Sequence, residues 1–359
     1  MKMKKTIVAL LLCVSFVASL FSLCACSDRP TLVVCNWGEY ISDGEDGYMD
    51  VIAEFEKRFN VTVDYVIADT NESLYSLMKS GSGNYDVIIP SDYMIEKLIA
   101  EDMLAELDFA NIPNFETNIM DRFKNLDYDP ENKYSVPYFW GTVGLLYNKT
   151  LYQEELVGWE NLWGKDAQYE NQILMMDNPR DAFTIALFEL GYSINTVNEA
   201  EWREAAELLK SKKFVYCMDQ TFEKMPGESA VLAPYYAGDC VYMMSENENL
   251  EFYRPEYTNI FNDAMCVPKT SQNKELAEKF INFMLEPDVG LANTEYLGYS
   301  TPNQAVYDQL ELDEKIREIS YPDFESKVSE GKWQHMRKLP DEIEALMSEL
   351  WVEVKASNK

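Results

Sequence analysis

The apolar positions of the chain alternate between short runs and helical faces. Leu32-Val33-Val34-Cys35 is an unbroken apolar run, the pattern of a strand buried on both sides. Residues 48–59 follow with Met49, Ile52, Phe55 and Phe59 at helical spacing, and residues 61–67 are rich in β-branched side chains. Leu74, Leu77 and Met78 mark another helical face, and Tyr85-Asp86-Val87-Ile88-Ile89-Pro90 reads as a third strand. This strand-helix-strand-helix-strand order predicts a parallel, doubly wound lobe. A second set starts near residue 140. It has strands at 173–176, 214–218 and 230–233 and helices at 180–190, 201–211, 273–285 and 340–353, the last opened by Pro340. No Gly/Ser linker separates the two sets, so the chain is expected to cross between two lobes more than once.

The first 26 residues stand outside this pattern. Lys2, Lys4 and Lys5 precede an apolar stretch from Ile7 to Leu23, which reads as a secretory signal. Leu23-Cys24-Ala25-Cys26 resembles a bacterial lipobox, which implies cleavage before Cys26 and acylation of its thiol. No later stretch is apolar enough to span a bilayer. The mature chain is therefore expected outside the cytoplasm, held to the membrane by lipid alone.

Composition narrows the chemistry. The 359 residues suit two domains at roughly 150 residues each. With 31 Lys+Arg against 62 Asp+Glu the net charge is −31, and losing three signal lysines takes it to −34. So acidic a chain is a poor partner for nucleic acid. The single histidine, His335, excludes a multi-histidine metal site. Beyond Cys26, the mature cysteines Cys35, Cys217, Cys240 and Cys266 lie far apart in apolar runs. Their spacing favours buried thiols over disulfides or a metal site.

In an open parallel sheet, ligands bind beyond the carboxyl ends of the strands. The residues there are Asn36-Trp37-Gly38-Glu39-Tyr40, Thr70-Asn71-Glu72 and Ser91-Asp92-Tyr93. In the second set they are Asp177-Asn178 with Asp181, Tyr235-Tyr236-Ala237-Gly238-Asp239 and Asn259-Ile260-Phe261-Asn262-Asp263. None is a glycine-rich phosphate cradle. Aromatic faces beside carboxylates suit an ammonium guest, each face attracting it by roughly 0.5–2 kcal/mol. Taken singly, each aromatic is equally a packing residue. Ser91, Asp92, Asp177 and Asn178 are equally helix caps.

The segments at 36–40 and 85–93 now combine with Val136-Pro137-Tyr138-Phe139-Trp140-Gly141, residues 280–289, Gly298-Tyr299-Ser300-Thr301-Pro302-Asn303 and Trp333-Gln334. In this order, over about residues 31–335, the chain resembles the substrate-binding proteins of bacterial spermidine/putrescine ABC transporters. The resemblance implies an α/β, two-lobed periplasmic-binding-protein fold of type II. Each lobe would be a mostly parallel sheet flanked by helices, with the ligand cleft between lobes. Residues 31–140 with 264–310 would form one lobe, and 141–263 with 311–355 the other. By position, Trp37, Tyr40 and Tyr93 would wall the cleft, with Tyr236 and Phe261 opposite. Glu39, Asp181, Asp239 and Asp263 would receive ammonium groups, Ser91 and Gln334 would add polar contacts, and Tyr299 would lie at the edge. Tyr236 and Phe261 stand where relatives often carry Trp. Asn178, where spermidine binders can carry an acid, keeps only a hydrogen-bond acceptor, and Asp239 resembles the putrescine-type arrangement.

The function so implied is a monomeric, non-enzymatic receptor without cofactor or metal. It captures a polyamine and delivers it to the permease subunits of an ABC transporter. Within the same fold, the adjacent Tyr235 and Tyr236 resemble paired phenolate ligands of a ferric-ion receptor. A sensor would keep the polyamine site and change the partner. Paired acids such as Asp239 and Asp263 leave an extracytoplasmic glycosidase as the reading from another class.

Overall fold

A computed structural model describes residues 29–164, 167–169 and 171–358. The signal segment and Cys26 lie outside the described residues. In chain order the strands are β1 (Thr31–Trp37), β2 (Thr62–Ala68), β3 (Val87–Ile88), β4 (Ser135–Asn148), β5 (Leu174–Met176), β6 (Val215–Cys217), β7 (Leu232–Tyr236), β8 (Leu250–Tyr253), β9 (Thr258–Cys266) and β10 (Trp333–Gln334). The longer helices are α1 (Val51–Phe59), α2 (Asn71–Ser80), α3 (Asp92–Ala100), α4 (Pro179–Glu189), α5 (Glu199–Lys210), α6 (Ala237–Glu246), α7 (Lys274–Met284), α8 (Pro287–Leu297) and α9 (Asp341–Ser357).

The strand order is β2-β1-β3-β9-β4-β7, with β8 also beside β4 and β10 beside β9. In the first lobe β2, β1 and β3 are parallel, and β9 runs against both β3 and β4. In the second lobe β6 and β5 are parallel, a parallel bridge from Ile173 to Leu232 brings β7 alongside, and β4 runs against β7. Each lobe is thus mostly parallel, with one reversed strand that crosses in from the other. The segment after β10 also touches the first lobe. Arg337 donates to both carboxylate oxygens of Glu96 on α3, at 2.8 and 3.0 Å, before the chain enters α9.

Local chemistry sets the ends of these elements. The Asp50 carboxylate accepts from Ala53 N and starts α1 three residues later than the apolar spacing suggests. Thr70 and Ser73 cap α2 reciprocally. The segment 85–90 is extended as expected, yet only Val87–Ile88 belong to the ladder. Asp86 N and Ile89 N still bond to Val33 O and Cys35 O.

The long strand β4 is the main element that the sequence pattern hides, because Pro137, Gly141 and Gly144 read as breakers. The two glycines are there for space. A Cβ on Gly141 would come within 2.8 Å of the Phe261 ring, and one on Gly144 within 2.3 Å of Phe252. Strand β9 corrects another expectation: Phe261 and Asp263 sit mid-strand on a buried crossing element, not at a strand end. Likewise β7 begins two residues later than expected and takes in Tyr235 and Tyr236.

One core packs Phe55 edge-on against Phe280 at 5.0 Å in the first lobe. Another packs Phe183 against Trp202 at 5.5 Å in the second. The second cluster also takes in Ile95 and Leu98 of α3, so the lobes are packed against each other. Cys35, Cys217, Cys240 and Cys266 are buried and unpaired. Among the described residues no helix is long and apolar enough to cross a membrane.

Candidate functional site

Four tyrosines hold four carboxylates where the lobes meet. Tyr40 donates its hydroxyl to Asp263 Oδ2 at 2.7 Å, Tyr236 to Asp181 Oδ2 at 2.8 Å, Tyr299 to Asp239 Oδ2 at 2.8 Å and Tyr93 to Glu72 Oε1 at 2.9 Å. The aromatic lining is continuous. Tyr40 meets Tyr299 edge-on at 5.0 Å, Phe261 lies 6.4 Å from Tyr299, and Tyr236 meets Phe261 at 5.4 Å. Trp37 and Tyr236, both half-buried, touch the cores of both lobes.

The fold explains this convergence. After β1 the chain turns through Glu39, whose φ of 49° is left-handed and costs a side-chain-bearing residue about 1–2 kcal/mol. That turn carries Tyr40 inward, where its carbonyl accepts from Tyr138 Oη at 2.8 Å and Asn36 Nδ2 at 3.2 Å. Glu72, Asp181 and Asp239 occupy first turns of α2, α4 and α6, where the positive end of the helix dipole favours an anion. Asp263 instead comes from β9, bridged through its backbone to Ser91.

Burial dominates the electrostatics. It pushes Asp181 up to about 7, against the hydrogen bond from Tyr236, with the charges of Glu72 and Asp263 adding to the rise. It pushes Asp239 up to about 7 in the same way, against Tyr299, with Glu39 adding. Asp263 rises to about 6, held down by bonds from Ser91 and Tyr40. Two oxygens in this group, Asp263 Oδ1 and Glu72 Oε2, are buried without a hydrogen-bond partner. A buried acceptor left unpaired costs roughly 1–3 kcal/mol, and more when charged. An ammonium brings three donors and a compensating charge, so the arrangement favours a cationic donor lined by aromatic rings. Among the described residues no three His, Cys, Asp or Glu gather as a metal site.

Phe261, Trp37 and the tyrosine-held acids come together, Asp181, Asp239 and Asp263 among the residues expected from sequence, with Glu39 exposed at the rim. Three other predicted residues have their polar groups engaged elsewhere. Asn178 Oδ1 caps α4 by accepting from Arg180 N at 3.0 Å. Ser91 Oγ accepts from Asn71 Nδ2 at 3.0 Å. Gln334 accepts from Ser193 Oγ at 2.9 Å and donates to Gly331 O. Tyr235 packs edge-on to Phe222 while Tyr236 bonds to Asp181, and the two rings meet edge-on at 5.6 Å.

The sequence leaves out Glu72, Arg180 and the Asp92–His335 pair, whose carboxylate and ring nitrogen lie 3.3 Å apart. Glu72 stands in a strand-end loop, but a first-turn acid has an ordinary helix-capping explanation. Arg180 gives no outward sign in the sequence that it is buried.

Tyr299→Phe removes the one hydrogen bond that favours ionised Asp239. The variant should bind a cationic ligand about fivefold more weakly at pH 7, in line with the loss of roughly 1 kcal/mol. The deficit should shrink by pH 9, where Asp239 is ionised in both proteins. Titrations at the two pH values check this, and an equal deficit at both would contradict it.

A family model described as bacterial extracellular solute-binding protein matches residues 50–318. The chain is 32% identical over 316 residues to the spermidine/putrescine-binding periplasmic protein of Salmonella typhimurium, covering 86% of this chain and 88% of that one. Among solved structures it resembles the spermidine/putrescine ABC transporter substrate-binding protein of Streptococcus pneumoniae. The TM-score is 0.74 and the identity 34%, over 92% of this chain and 100% of that one. It also resembles a lipoprotein of Treponema pallidum, with a TM-score of 0.78 and 26% identity, over 90% of this chain and 99% of that one.

Proposed function

This chain belongs to the bacterial extracellular solute-binding proteins, among those of spermidine/putrescine ABC transporters, and we propose that it captures a polyamine between its lobes for delivery to a permease. It is a receptor and not an enzyme, and it works outside the cytoplasm. The observation that carries the reading is the set of tyrosine-held carboxylates, buried beside aromatic rings, in which Asp263 Oδ1 has no donor.

In this reading Trp37, Tyr40 and Tyr93 form one wall, and Tyr236 and Phe261 the other, with Tyr299 at the edge. Asp181, Asp239, Asp263 and Glu39 receive ammonium groups, and Ser91, Asn178 and Gln334 contribute polar contacts or hold the frame. The lobes are residues 31–140 with 264–310 and 141–263 with 311–355. They close about β4 and β9, and a ligand that touches both favours the closed state. The protein acts as a monomer and presents the closed form to the permease subunits.

Native mass spectrometry of protein purified from polyamine-rich medium tests the ligand class. One polyamine per chain is expected, at reduced occupancy in Asp263→Asn. Protein free of any amine would count against the reading.

The lipobox-like segment, together with the likeness to a lipoprotein, supports Cys26 as the lipid-bearing residue. Cys26→Ser should abolish labelling by a radioactive fatty acid and release the protein from the membrane fraction. Retained label would place the anchor elsewhere.

A further inference from the structure

We propose that Glu72, together with Asp181, forms a lobe-bridging station for one terminal ammonium of a triamine. The inference rests on the polyamine reading above and extends it to ligand length.

Glu72 belongs to the first lobe, on α2, and Asp181 to the second, on α4. Each is held by one phenol, Tyr93 and Tyr236 respectively, and Glu72 Oε2 remains buried with no donor. A counter-charge acts on both. Arg180, only 2% exposed, donates to Ile194 O at 3.1 Å, Asn195 Oδ1 at 3.1 Å and Arg337 O at 3.3 Å, all neutral acceptors. Its guanidinium carbon lies 5.9 Å from the Tyr93 ring centroid. A guanidinium spent on neutral acceptors leaves its charge to act on the nearby acids. Glu72 and Asp181, with the buried Asp92 also acting on the same guanidinium, carry more negative charge than Arg180 balances, which leaves room for an ammonium. Asn178 brings no charge here and its oxygen is committed to capping α4. Glu72 thus supplies the second acid of this station.

Glu72 acts on Asp181, Asp263 acts on both Asp181 and Tyr40, Asp239 acts on Tyr40, and Glu39 acts on Asp239. Ring contacts join the stations: Tyr236, which holds Asp181, meets Phe261 at 5.4 Å, Phe261 lies 6.4 Å from Tyr299, which holds Asp239, and Tyr299 meets Tyr40, which holds Asp263, at 5.0 Å. Three stations match three ammonium groups. A diamine at the Asp263 and Asp239 stations leaves the Glu72 station empty.

The test compares spermidine and putrescine on Glu72→Gln, which keeps an acceptor for the Tyr93 hydroxyl. Spermidine affinity should fall about tenfold and putrescine affinity by less than about twofold, one charged contact being worth at least a factor of ten. Tyr93→Phe, which removes one hydrogen bond and keeps the carboxylate, should cost spermidine about fivefold, less than the loss in Glu72→Gln. An unchanged spermidine affinity in Glu72→Gln would overturn the proposal. So would equal losses for both amines, or a Tyr93→Phe loss as large as that of Glu72→Gln. These outcomes leave the polyamine reading intact if Asp263→Asn still weakens binding of both amines by about tenfold or more. A wild-type protein that binds neither amine would defeat that reading instead.

Discussion

Asp263→Asn is expected to weaken polyamine binding by roughly ten- to a hundredfold and, at the same time, to raise the melting temperature of the unliganded protein. The two effects share one cause. Asp263 is 5% exposed, on a strand whose neighbours are nearly all buried. Its carboxyl titrates at about 6 in the fold against 3.8 as the ordinary value, because burial penalises the charge. As pH rises, the unfolded chain ionises first, so folding loses stability between about pH 4 and 6. By linkage the penalty is on the order of 3 kcal/mol above pH 6 and vanishes below pH 4. Asparagine keeps the shape and an acceptor for Tyr40 but carries no charge. Melting curves should therefore show the variant more stable than wild type at pH 8 and equal to it at pH 4. A variant that is less stable at pH 8, or that binds polyamine as tightly as wild type, would remove Asp263 from the centre of the site.

The second large effect is on pH. Asp181 and Asp239 at about 7 and Asp263 at about 6 are partly protonated in the empty cleft at neutral pH. An ammonium selects their charged forms. Affinity should therefore rise with pH through this window and level off above it, since alkyl ammonium groups stay protonated to about pH 10. Between pH 8 and pH 5 the fall should reach at least about a hundredfold, because each acid that must ionise costs up to tenfold per pH unit below its pKa. Binding at pH 7 should release about one proton, roughly half from each of Asp181 and Asp239. Isothermal titration in buffers of different ionisation enthalpy reads that number. A flat affinity between pH 5 and 8 with no proton release would mean that these acids do not meet the ligand.

Much of this site is legible in the sequence because its acids and rings follow apolar runs. Trp37 ends β1 and Tyr40 follows it, Tyr93 stands three residues after Pro90 at the end of the third run, and Asp239 follows β7. What the pattern hides has physical reasons. β4 contains a proline and two glycines, and those glycines make sense only once the Phe261 and Phe252 rings are in place across the strand. Asp263 looks like a loop acid because burying a carboxylate mid-strand is expensive. Only the converging Tyr40 hydroxyl and the Ser91 contact account for it. Glu72 has a sufficient local role in the first turn of α2, so its buried free oxygen becomes visible only in three dimensions. The lobes pack through contacts far apart in sequence, such as Arg337 with Glu96, which no local pattern announces.

The most direct test is calorimetry on protein lacking residues 1–26, titrated with putrescine, spermidine, ferric citrate and a sugar. The expected result is one saturable site for polyamine, with proton release at pH 7, and no heat from the other ligands. No heat with either polyamine, or saturable binding of ferric ion or sugar in their place, would contradict the account.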